Sequence, residues 1–315
     1  MTDQWEEGSG GIAVIGGAVL DRKYHARREL IMETSNPVDG NRTFGGVARN
    51  IAENLVRLGV PVTFVSAVGD DESGRSLTAH LAALGADVSQ VAVTPERSTA
   101  EYVAVLDPRN DLFIGLADMA IFDLLTPALL EGAWPRIAPA GWIFADCNLP
   151  AGTLAFLIER AKREKLRLAV NTVSSPKAQR LPKNLSGIDL LFTNLDEAGA
   201  MLGGADRRSA VEAASALLDA GAARAIVTEG AKGYAVASAD GVVAAKAVPG
   251  QPVDITGAGD AFAAGTLYRM LAGEQAAQAA RTGALLATLT TESEMSVHPD
   301  LSPRLIEEAA GRIVA

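Results

Sequence analysis

The sequence predicts an α/β fold in which helices cover both faces of a doubly wound, mostly parallel β-sheet. Short apolar runs rich in β-branched and aromatic residues alternate with stretches whose apolar residues recur at helical spacing. Such a run is typical of a strand buried on both faces of a parallel sheet, and a strand–helix–strand order is typical of a doubly wound one. The predicted strands are Ile12–Ile15, Val62–Val68, Trp142–Ala145, Leu166–Val170, Ile188–Phe192 and Ala225–Val227.

Each helix between these strands is predicted from one apolar stripe. In the first, Val47, Ile51, Leu55 and Leu58 recur at helical spacing, and Gly59 ends the helix. A second stripe precedes the fourth strand and comprises Leu154, Leu157, Ile158 and Ala161. Amphipathic helices of this kind bury one face against a sheet.

Two segments interrupt the alternation, and we predict that they form a small β-sheet lid. These segments are residues 22–44 and 99–118, within a single domain of residues 1–315. The first is polar and contains Pro37 and Gly40, which disfavours a helix. The second contains two predicted strands joined by a turn, Glu101–Leu106 and Leu112–Leu116. From the pattern alone, ordinary loop variation explains both segments equally well.

Composition and charge narrow the classes of function. The chain has 315 residues, of which 48% are hydrophobic and 21% charged, so it is neither disordered nor a coiled coil as a whole. Lys plus Arg number 28 against 38 Asp plus Glu, a net charge of −10. A nucleic-acid polymer is therefore not an expected partner. One cysteine, Cys147, excludes a disulfide framework and a thiolate zinc cluster.

The longest apolar runs, such as residues 11–20 and 283–287, are shorter than the roughly 18 residues that a membrane span needs. The first residues are acidic and polar, unlike a signal peptide. We therefore expect a cytoplasmic protein with no membrane partner.

The most informative motif is a glycine-rich turn before a predicted helix. Residues 253–265 read VDITGAGDAFAAG. The turn at residues 257–259 stands at the helix N-terminus, where free N–H groups and the helix dipole attract anions. Asp260 falls in the first helical turn. Taken alone, glycines before a helix and an acidic residue in its first turn are more often structural than catalytic.

The order Asp-x-Thr-Gly-Ala-Gly-Asp, from Asp254 to Asp260, resembles the C-terminal signature of the ribokinase family, also called the phosphofructokinase-B class of sugar and nucleoside kinases. The resemblance implies a ribokinase-like fold, ATP as co-substrate, and Asp260 as the base that accepts the proton of the substrate hydroxyl. It also implies that Asp254 and Thr256 help to bind a monovalent cation such as K⁺. The implied anion hole for the transferring phosphoryl group comprises Gly257, Ala258 and Gly259. A side chain at Gly259 is expected to block the phosphate and any positive φ.

Two further motifs resemble the acceptor site of that family. Residues 44–50, FGGVARN, resemble the N-terminal signature whose glycine pair and asparagine contact sugar hydroxyls. Residues 15–21, IGGAVLD, resemble the first strand and its sugar-binding aspartate. In isolation the first motif also fits a Gly-Gly turn with an exposed asparagine. The second motif is one glycine short of a dinucleotide fingerprint. The implied acceptor-binding residues are Asp21, Gly45, Gly46, Asn50 and Asn148.

The ATP side carries two more motifs in the family's order. Residues 193–197, TNLDE, match an Asn-x-x-Glu element that organises Mg²⁺ and phosphate through water, which implies that Glu197 holds Mg²⁺. Residues 228–233, TEGAKG, match a nucleotide-binding loop. Without that context, Asn194 and Glu197 read as a helix N-cap and its capping-box partner, and the loop as a generic turn. The implied ATP-binding residues are Asn194, Thr228, Gly230 and Gly233.

Short marks resemble the branch of the family that phosphorylates pseudouridine. They are residues 34–37 (TSNP), 145–148 (ADCN) and 299–302 (PDLS). Asn148 stands where ribokinases usually carry a ribose-binding glutamate, and an amide both donates and accepts, which suits a substrate with a base. The expected reaction transfers phosphate from ATP to the 5′-hydroxyl of pseudouridine, with another nucleoside or a sugar as the alternative. Asn171-Thr172 replaces the Asp-Pro common in relatives.

Two other classes of protein predict features that this sequence lacks. A nicotinamide-dependent oxidoreductase predicts a Gly-x-Gly-x-x-Gly turn after the first strand, and a non-catalytic sensor on a kinase fold predicts a decayed anion hole or a lost Asp260. In relatives the lid strands often pair between subunits. Apolar residues of the second lid segment therefore favour a homodimer, although a lid over its own active site explains them too. These residues are Tyr102, Val103, Val105, Phe113 and Ile114.

Overall fold

The computed structural model describes residues 10–204 and 209–313. Its strands, in chain order, are β1 (Ile12–Ile15), β2 (Val19–Ala26), β3 (Val38–Gly45), β4 (Val62–Gly69), β5 (Asp87–Thr94), β6 (Glu101–Leu106), β7 (Leu112–Asp118), β8 (Trp142–Asp146), β9 (Leu168–Asn171), β10 (Leu190–Asn194), β11 (Ala225–Thr228), β12 (Tyr234–Ser238) and β13 (Gly241–Ala245). Its α-helices are α1 (Val47–Arg57), α2 (Glu72–Leu84), α3 (Pro127–Ile137), α4 (Ala151–Glu164), α5 (Ser175–Ala178), α6 (Leu195–Met201), α7 (Ala210–Asp219), α8 (Ala258–Leu271), α9 (Ala276–Thr291) and α10 (Pro303–Ala309).

Nine strands form the main sheet, in the order β13-β12-β11-β10-β9-β8-β1-β4-β5. Strands β5 to β11 in this order are parallel, and β12 and β13 extend the sheet as an antiparallel hairpin. The predicted doubly wound, mostly parallel sheet is confirmed. The alternation of β1 explains it: Ile12 and Val14 pack into one hydrophobic layer, and Ala13 and Ile15 pack into the other. Helices must therefore cover both faces.

Three strands of the main sheet were not predicted, and two predicted strands begin later than expected. β5 and β13 lie at the sheet edges, and β12 is rich in alanine and serine, so none of the three forms a long β-branched run. Leu166 and Ile188 belong to the turns before β9 and β10, and they look like strand residues because both pack against the core.

Helices α8 and α9 approach each other through small residues. Gly265 faces Gly283, and an added Cβ at Gly283 would overlap the carbonyl oxygen of Phe262 and the hydroxyl of Thr266. The hydroxyl of Thr266 donates to the carbonyl of Phe262 at 2.8 Å within α8. Backbone-to-backbone contact therefore fixes α8 against its neighbour.

The two predicted lid segments contain the four strands of a second sheet, which we call the small sheet, in the order β3-β2-β6-β7. β2 pairs antiparallel with β3 and parallel with β6, and β6 pairs antiparallel with β7. The first segment holds most of a regular hairpin, although its polar sequence shows no strand pattern, because half of the residues of β3 are exposed. Every residue of β7 is exposed. Within the described part of the chain, no helix has the length and apolar character needed to cross a membrane.

Candidate active site

The turn before α8 contains the first group of predicted site residues. Gly257 caps the helix with φ 82°, and a Cβ there would overlap the carbonyl oxygen of Ser296. Gly259 has no positive φ, and a Cβ there would meet open space. The backbone therefore requires glycine at Gly257, whereas at Gly259 there is no positive φ for a side chain to block. The open space over Gly259 borders the cavity that an anion bound to the first turn of α8 would enter.

Asp260, in the first turn of α8, is only 9% exposed, and its Oδ2 accepts a hydrogen bond from Asn50 Nδ2 at 2.7 Å. Burial raises the pKa of Asp260 to about 7, an effect that the Asn50 hydrogen bond and the Arg49 charge oppose and that nearby Asp146 and Asp21 reinforce. A carboxyl group whose pKa lies near neutral pH is suited to general-base catalysis.

A cavity of about 120 Å³ brings together some of the residues predicted to be catalytic and some of those predicted to bind ATP. It lies at the carboxyl ends of parallel strands, where α/β folds bind ligands. Its lining is Val47, Asn171, Val173, Phe192, Thr193, Asn194, Glu197, Ile226, Thr228, Gly259, Asp260 and Phe262. Of the predicted residues, Asn194, Glu197, Thr228, Gly259 and Asp260 thus share one space.

The capping role of Asn194 and Glu197 is confirmed. Asn194 Oδ1 accepts from the Glu197 backbone at 2.9 Å, and the Glu197 carboxylate accepts from the Asn194 backbone and side chain. The hydroxyl of Thr172, just after β9, also donates to Glu197. The departure at Asn171-Thr172 therefore places one residue on the cavity wall and the other on Glu197.

The oxygen donors of this cavity fit magnesium bound in an outer shell. No group of three or more His, Cys, Asp or Glu side chains within residues 10–204 and 209–313 is arranged to hold a metal ion. Mg²⁺ commonly keeps several waters and takes one or two carboxylates together with substrate phosphates. Glu197, with Asn171 and Asn194 beside it, offers such a set.

The acceptor-side residues Asp21, Gly45 and Gly46 meet where β2 pairs with β3. A Cβ on Gly45 would overlap the Asp21 carboxylate, so glycine lets that carboxylate lie against the backbone. Gly46 has φ 94° and precedes α1, which carries Asn50 toward Asp260. Burial raises the pKa of Asp21 to about 6, opposed by the charges of Arg49 and Lys23.

Asp146, at the end of β8, is a site residue whose role the sequence did not reveal. Its carboxylate is fully buried and accepts from the backbone N–H groups of Gly17, Ala48 and Asn148 and from Asn148 Nδ2, at 2.9–3.0 Å. Asn148 Oδ1 accepts from Lys177 Nζ at 2.5 Å. In the sequence Asp146 stands at the end of a predicted buried strand and within the short mark at residues 145–148, neither of which assigns it a role. Its contacts orient the Asn148 amide and join the first strand to the start of α1.

Gly257, Ala258 and the five acceptor-side residues do not line the cavity, and two further predicted groups also lie away from its lining. Thr228, which ends β11, reaches the cavity, whereas Gly230 and Gly233 shape the turn that follows, in which the Glu229 backbone donates to the carbonyl of Gly233 at 2.8 Å. The sequence also missed Val173, a β-branched residue with φ 67° on the cavity wall. Strain of this kind clusters at functional sites.

Asp254 and Thr256, the second group, contact each other and the small sheet. The backbone and hydroxyl of Thr256 donate to Asp254 Oδ1 at 2.8 and 2.6 Å, and Lys23 Nζ donates to Asp254 Oδ2 at 2.6 Å. Both carboxylate oxygens thus have protein donors. The monovalent-cation site stays a prediction.

A buried carboxyl group beside a helix N-terminus, at the carboxyl edge of a doubly wound sheet, is an arrangement suited to a phosphotransferase acting on a hydroxyl group. The comparison with known families agrees with this class. The chain belongs to the pfkB family of carbohydrate kinases, whose family model matches residues 11–302. It is therefore a kinase of a sugar or nucleoside hydroxyl, and ATP is the phosphate donor used in this family. The predicted family and enzyme class are confirmed.

Three relatives show how far the similarity reaches. Pseudouridine kinase from Escherichia coli (strain K12) is 29% identical over 92% of this chain and 93% of its own. Guanosine-inosine kinase from Exiguobacterium acetylicum is 27% identical over 92% of this chain and 97% of its own. The structure of a carbohydrate kinase from Agrobacterium tumefaciens superposes with a TM-score of 0.84 at 30% identity, covering 96% of this chain and 98% of that one. The predicted ribokinase-like fold is confirmed.

Proposed function

We propose that the protein phosphorylates the 5′-hydroxyl of pseudouridine with ATP. The observation that supports an acceptor with a base is the fixed amide of Asn148, and the choice of pseudouridine among such acceptors rests on sequence similarity. The oxygen of this amide accepts from Lys177, and one hydrogen of its nitrogen is given to Asp146. An amide nitrogen has two hydrogens, so the second is free to meet a carbonyl of a base. The similarity to the E. coli pseudouridine kinase supports the same substrate.

In the proposed reaction Asp260 accepts the proton of the 5′-hydroxyl as that oxygen bonds to the γ-phosphorus and the bond to the β,γ-bridging oxygen breaks, releasing ADP. The N–H groups of Gly257, Ala258 and Gly259 stabilise the charge on the phosphoryl oxygens, and Asp21 and Asn50 grip the ribose. Magnesium, when bound, neutralises phosphate charge. Glu197 would hold it through water, beside the triphosphate on Asn194 and Thr228.

The test is a panel of acceptors compared by specificity constant kcat/KM: pseudouridine, uridine, cytidine, adenosine, guanosine, ribose and fructose 6-phosphate. Pseudouridine exposes a ring N–H that uridine lacks, and a site that hydrogen-bonds such a group can reject the analogue by as much as about 10⁴-fold. We expect pseudouridine to be preferred and ³¹P NMR to show a 5′-phosphate. A preference for guanosine, ribose or uridine would contradict the proposed substrate and leave the kinase class standing.

The same assay tests the ions. Activity lost with EDTA and restored by Mg²⁺ supports the magnesium role, and equal rates in K⁺ and Na⁺ contradict a specific K⁺ site.

We also propose that the small sheet acts as a lid over the acceptor and pairs between two subunits. Strand β7 supports this pairing because Leu112, Phe113, Ile114 and Leu116 are exposed by 44–57% on the edge of that sheet. The cytoplasm remains the predicted location.

A further inference from the structure

Arg49, on α1 beside Asn50, is a buried cation to which the mechanism above gives no part. Its side chain is 3% exposed. One terminal nitrogen, Nη1, donates to the carboxylate of Glu53, one turn further along α1. The other, Nη2, donates to the carbonyl of Phe44 at 2.6 Å and to Oδ1 of Asn50. The guanidinium therefore joins the end of β3, the acceptor-side asparagine and a buried acid.

This arrangement determines which way the Asn50 amide faces. A guanidinium only donates hydrogen bonds, so Asn50 must present its oxygen to Arg49. The amide nitrogen then points to the other side, where it donates to Asp260 Oδ2 at 2.7 Å. The reversed amide would set its N–H groups against a cation and its oxygen against a carboxylate. Arg49 and Asp260 thus select the same orientation from opposite ends.

The charge of Arg49 lies among acids on three elements. Glu53 shares α1 with it, Asp21 lies on β2, and Asp260 lies on α8. Burial lowers the pKa of the Arg49 guanidinium, and these three acids oppose that effect. The ordinary pKa of arginine lies so far above neutral pH that its side chain stays protonated in proteins.

Four more charged or titratable groups face the three acids that surround Arg49. Asp146 also faces Asp260, and Lys23 also faces Asp21. Arg57 and His80 contact Glu53, so Glu53 keeps partners of its own when Arg49 is removed.

We propose that Arg49 is a positioning residue for phosphoryl transfer, which aims the Asn50 amide at Asp260 and places a positive charge beside the base. This inference rests on the proposed role of Asp260 as that base. The positive charge favours the ionised form of Asp260, which is the form that accepts a proton.

The test compares the pH dependence of kcat/KM in R49M and in a matched control, R57M. Arg57 contacts the same Glu53 from the more exposed side, through Nε at 2.8 Å, but Asn50 is not its partner. We expect the acidic limb of the R49M profile to move to higher pH. Its kcat/KM should fall about tenfold at pH 6.5 and approach the wild-type value at pH 9. R57M should keep the wild-type profile.

Because R49M leaves Glu53 with one cation fewer, R49M/E53Q is measured beside it. Replacing both members of a buried ion pair is often neutral for stability. The double variant should show the same displaced limb. A limb that stays in place, whether activity is unchanged or lower by one factor at every pH, would overturn the proposal.

A second readout needs no substrate. Carboxyl ¹³C resonances of aspartate are titrated in the wild type, R49M/E53Q and R57M, with D260N used to assign Asp260. The midpoint of Asp260 should rise in R49M/E53Q alone. If the acceptor panel fails but this midpoint rises, the electrostatic role of Arg49 stands and the proposed substrate is wrong. A midpoint that does not move overturns the role of Arg49 whatever the acceptor is.

Discussion

Replacing Asp260 with asparagine separates what this carboxyl group does for catalysis from what it costs the fold. The amide has nearly the same shape, and its oxygen still accepts from Asn50 Nδ2, as the carboxylate does at 2.7 Å. It cannot accept the hydroxyl proton. Because general-base catalysis is typically worth about 10²–10⁴-fold, we expect D260N to lose turnover by that factor while its affinity for ATP changes little.

The same substitution should stabilise the protein at neutral and alkaline pH. Burial raises the pKa of Asp260 from 3.8 to about 7. A group whose pKa is higher in the folded state binds its proton more tightly there, so folding is favoured at low pH and disfavoured as pH rises. The penalty is absent below about pH 4, grows as the unfolded chain ionises and is complete above about pH 7, where it amounts to about 4 kcal/mol. D260N removes it.

Two measurements on the same samples check this reasoning. Steady-state kinetics give turnover, and urea unfolding at pH 5 and pH 8 gives the free energy of unfolding. We expect D260N to exceed the wild type in stability at pH 8 by up to about 4 kcal/mol, and by less at pH 5. The control is E72Q, which removes an exposed acid from the first turn of α2 and should show neither effect. A variant that keeps more than about a tenth of wild-type turnover would show that Asp260 is not the base. Equal free energies of unfolding for D260N and the wild type at pH 8 would show that burial of the ionised Asp260 carboxylate does not destabilise the folded state.

Two further predictions concern the turn before α8 and the exposed edge of the small sheet. G257V should unfold more readily than the wild type, because its side chain would overlap the carbonyl of Ser296. G259V should keep the wild-type circular dichroism spectrum and lose turnover. An active G259V variant would contradict the assignment of the anion hole. Sedimentation velocity should find a dimer that the F113K/I114K variant converts to monomer with its circular dichroism unchanged, and a wild-type monomer would contradict pairing through β7.

The central strands could be predicted because each is a run of consecutive apolar residues. β1 and β8 are apolar along their whole buried length, apart from the aspartate that ends β8, so a local reading finds them. The edge strands β5 and β13 could not be found in the same way, because no residue of either is fully buried and neither contains a long β-branched run. The small sheet was harder still, since its first hairpin is polar and its regularity comes from pairing between β2 and β3.

The site residues also differ in whether neighbouring residues in the sequence indicate their role. Asp260 and Glu197 could be proposed because each stands in a short motif whose neighbours share its function. Asp146 and Arg49 could not, because their roles depend on contacts with distant segments. Asp146 binds the backbone of Gly17 across 129 residues and that of Ala48 across 98, and Arg49 matters through Asn50's contact with Asp260, 210 residues away. No pattern of neighbouring residues carries such information.

The glycine contact between α8 and α9 makes this helix pair intolerant of larger side chains at the contact. Gly265 and Gly283 hold the two helices backbone to backbone, so even an added methyl group would displace α8 and carry Asp260 with it. Catalytic groups lose activity steeply when they move by as little as about 1 Å. The small sheet is joined to this frame by pairs such as Lys23 with Asp254, and its strand β7 is exposed throughout. Under the proposed function, substitutions on the exposed strand β7 would therefore change the lid while the helix pair keeps Asp260 in place.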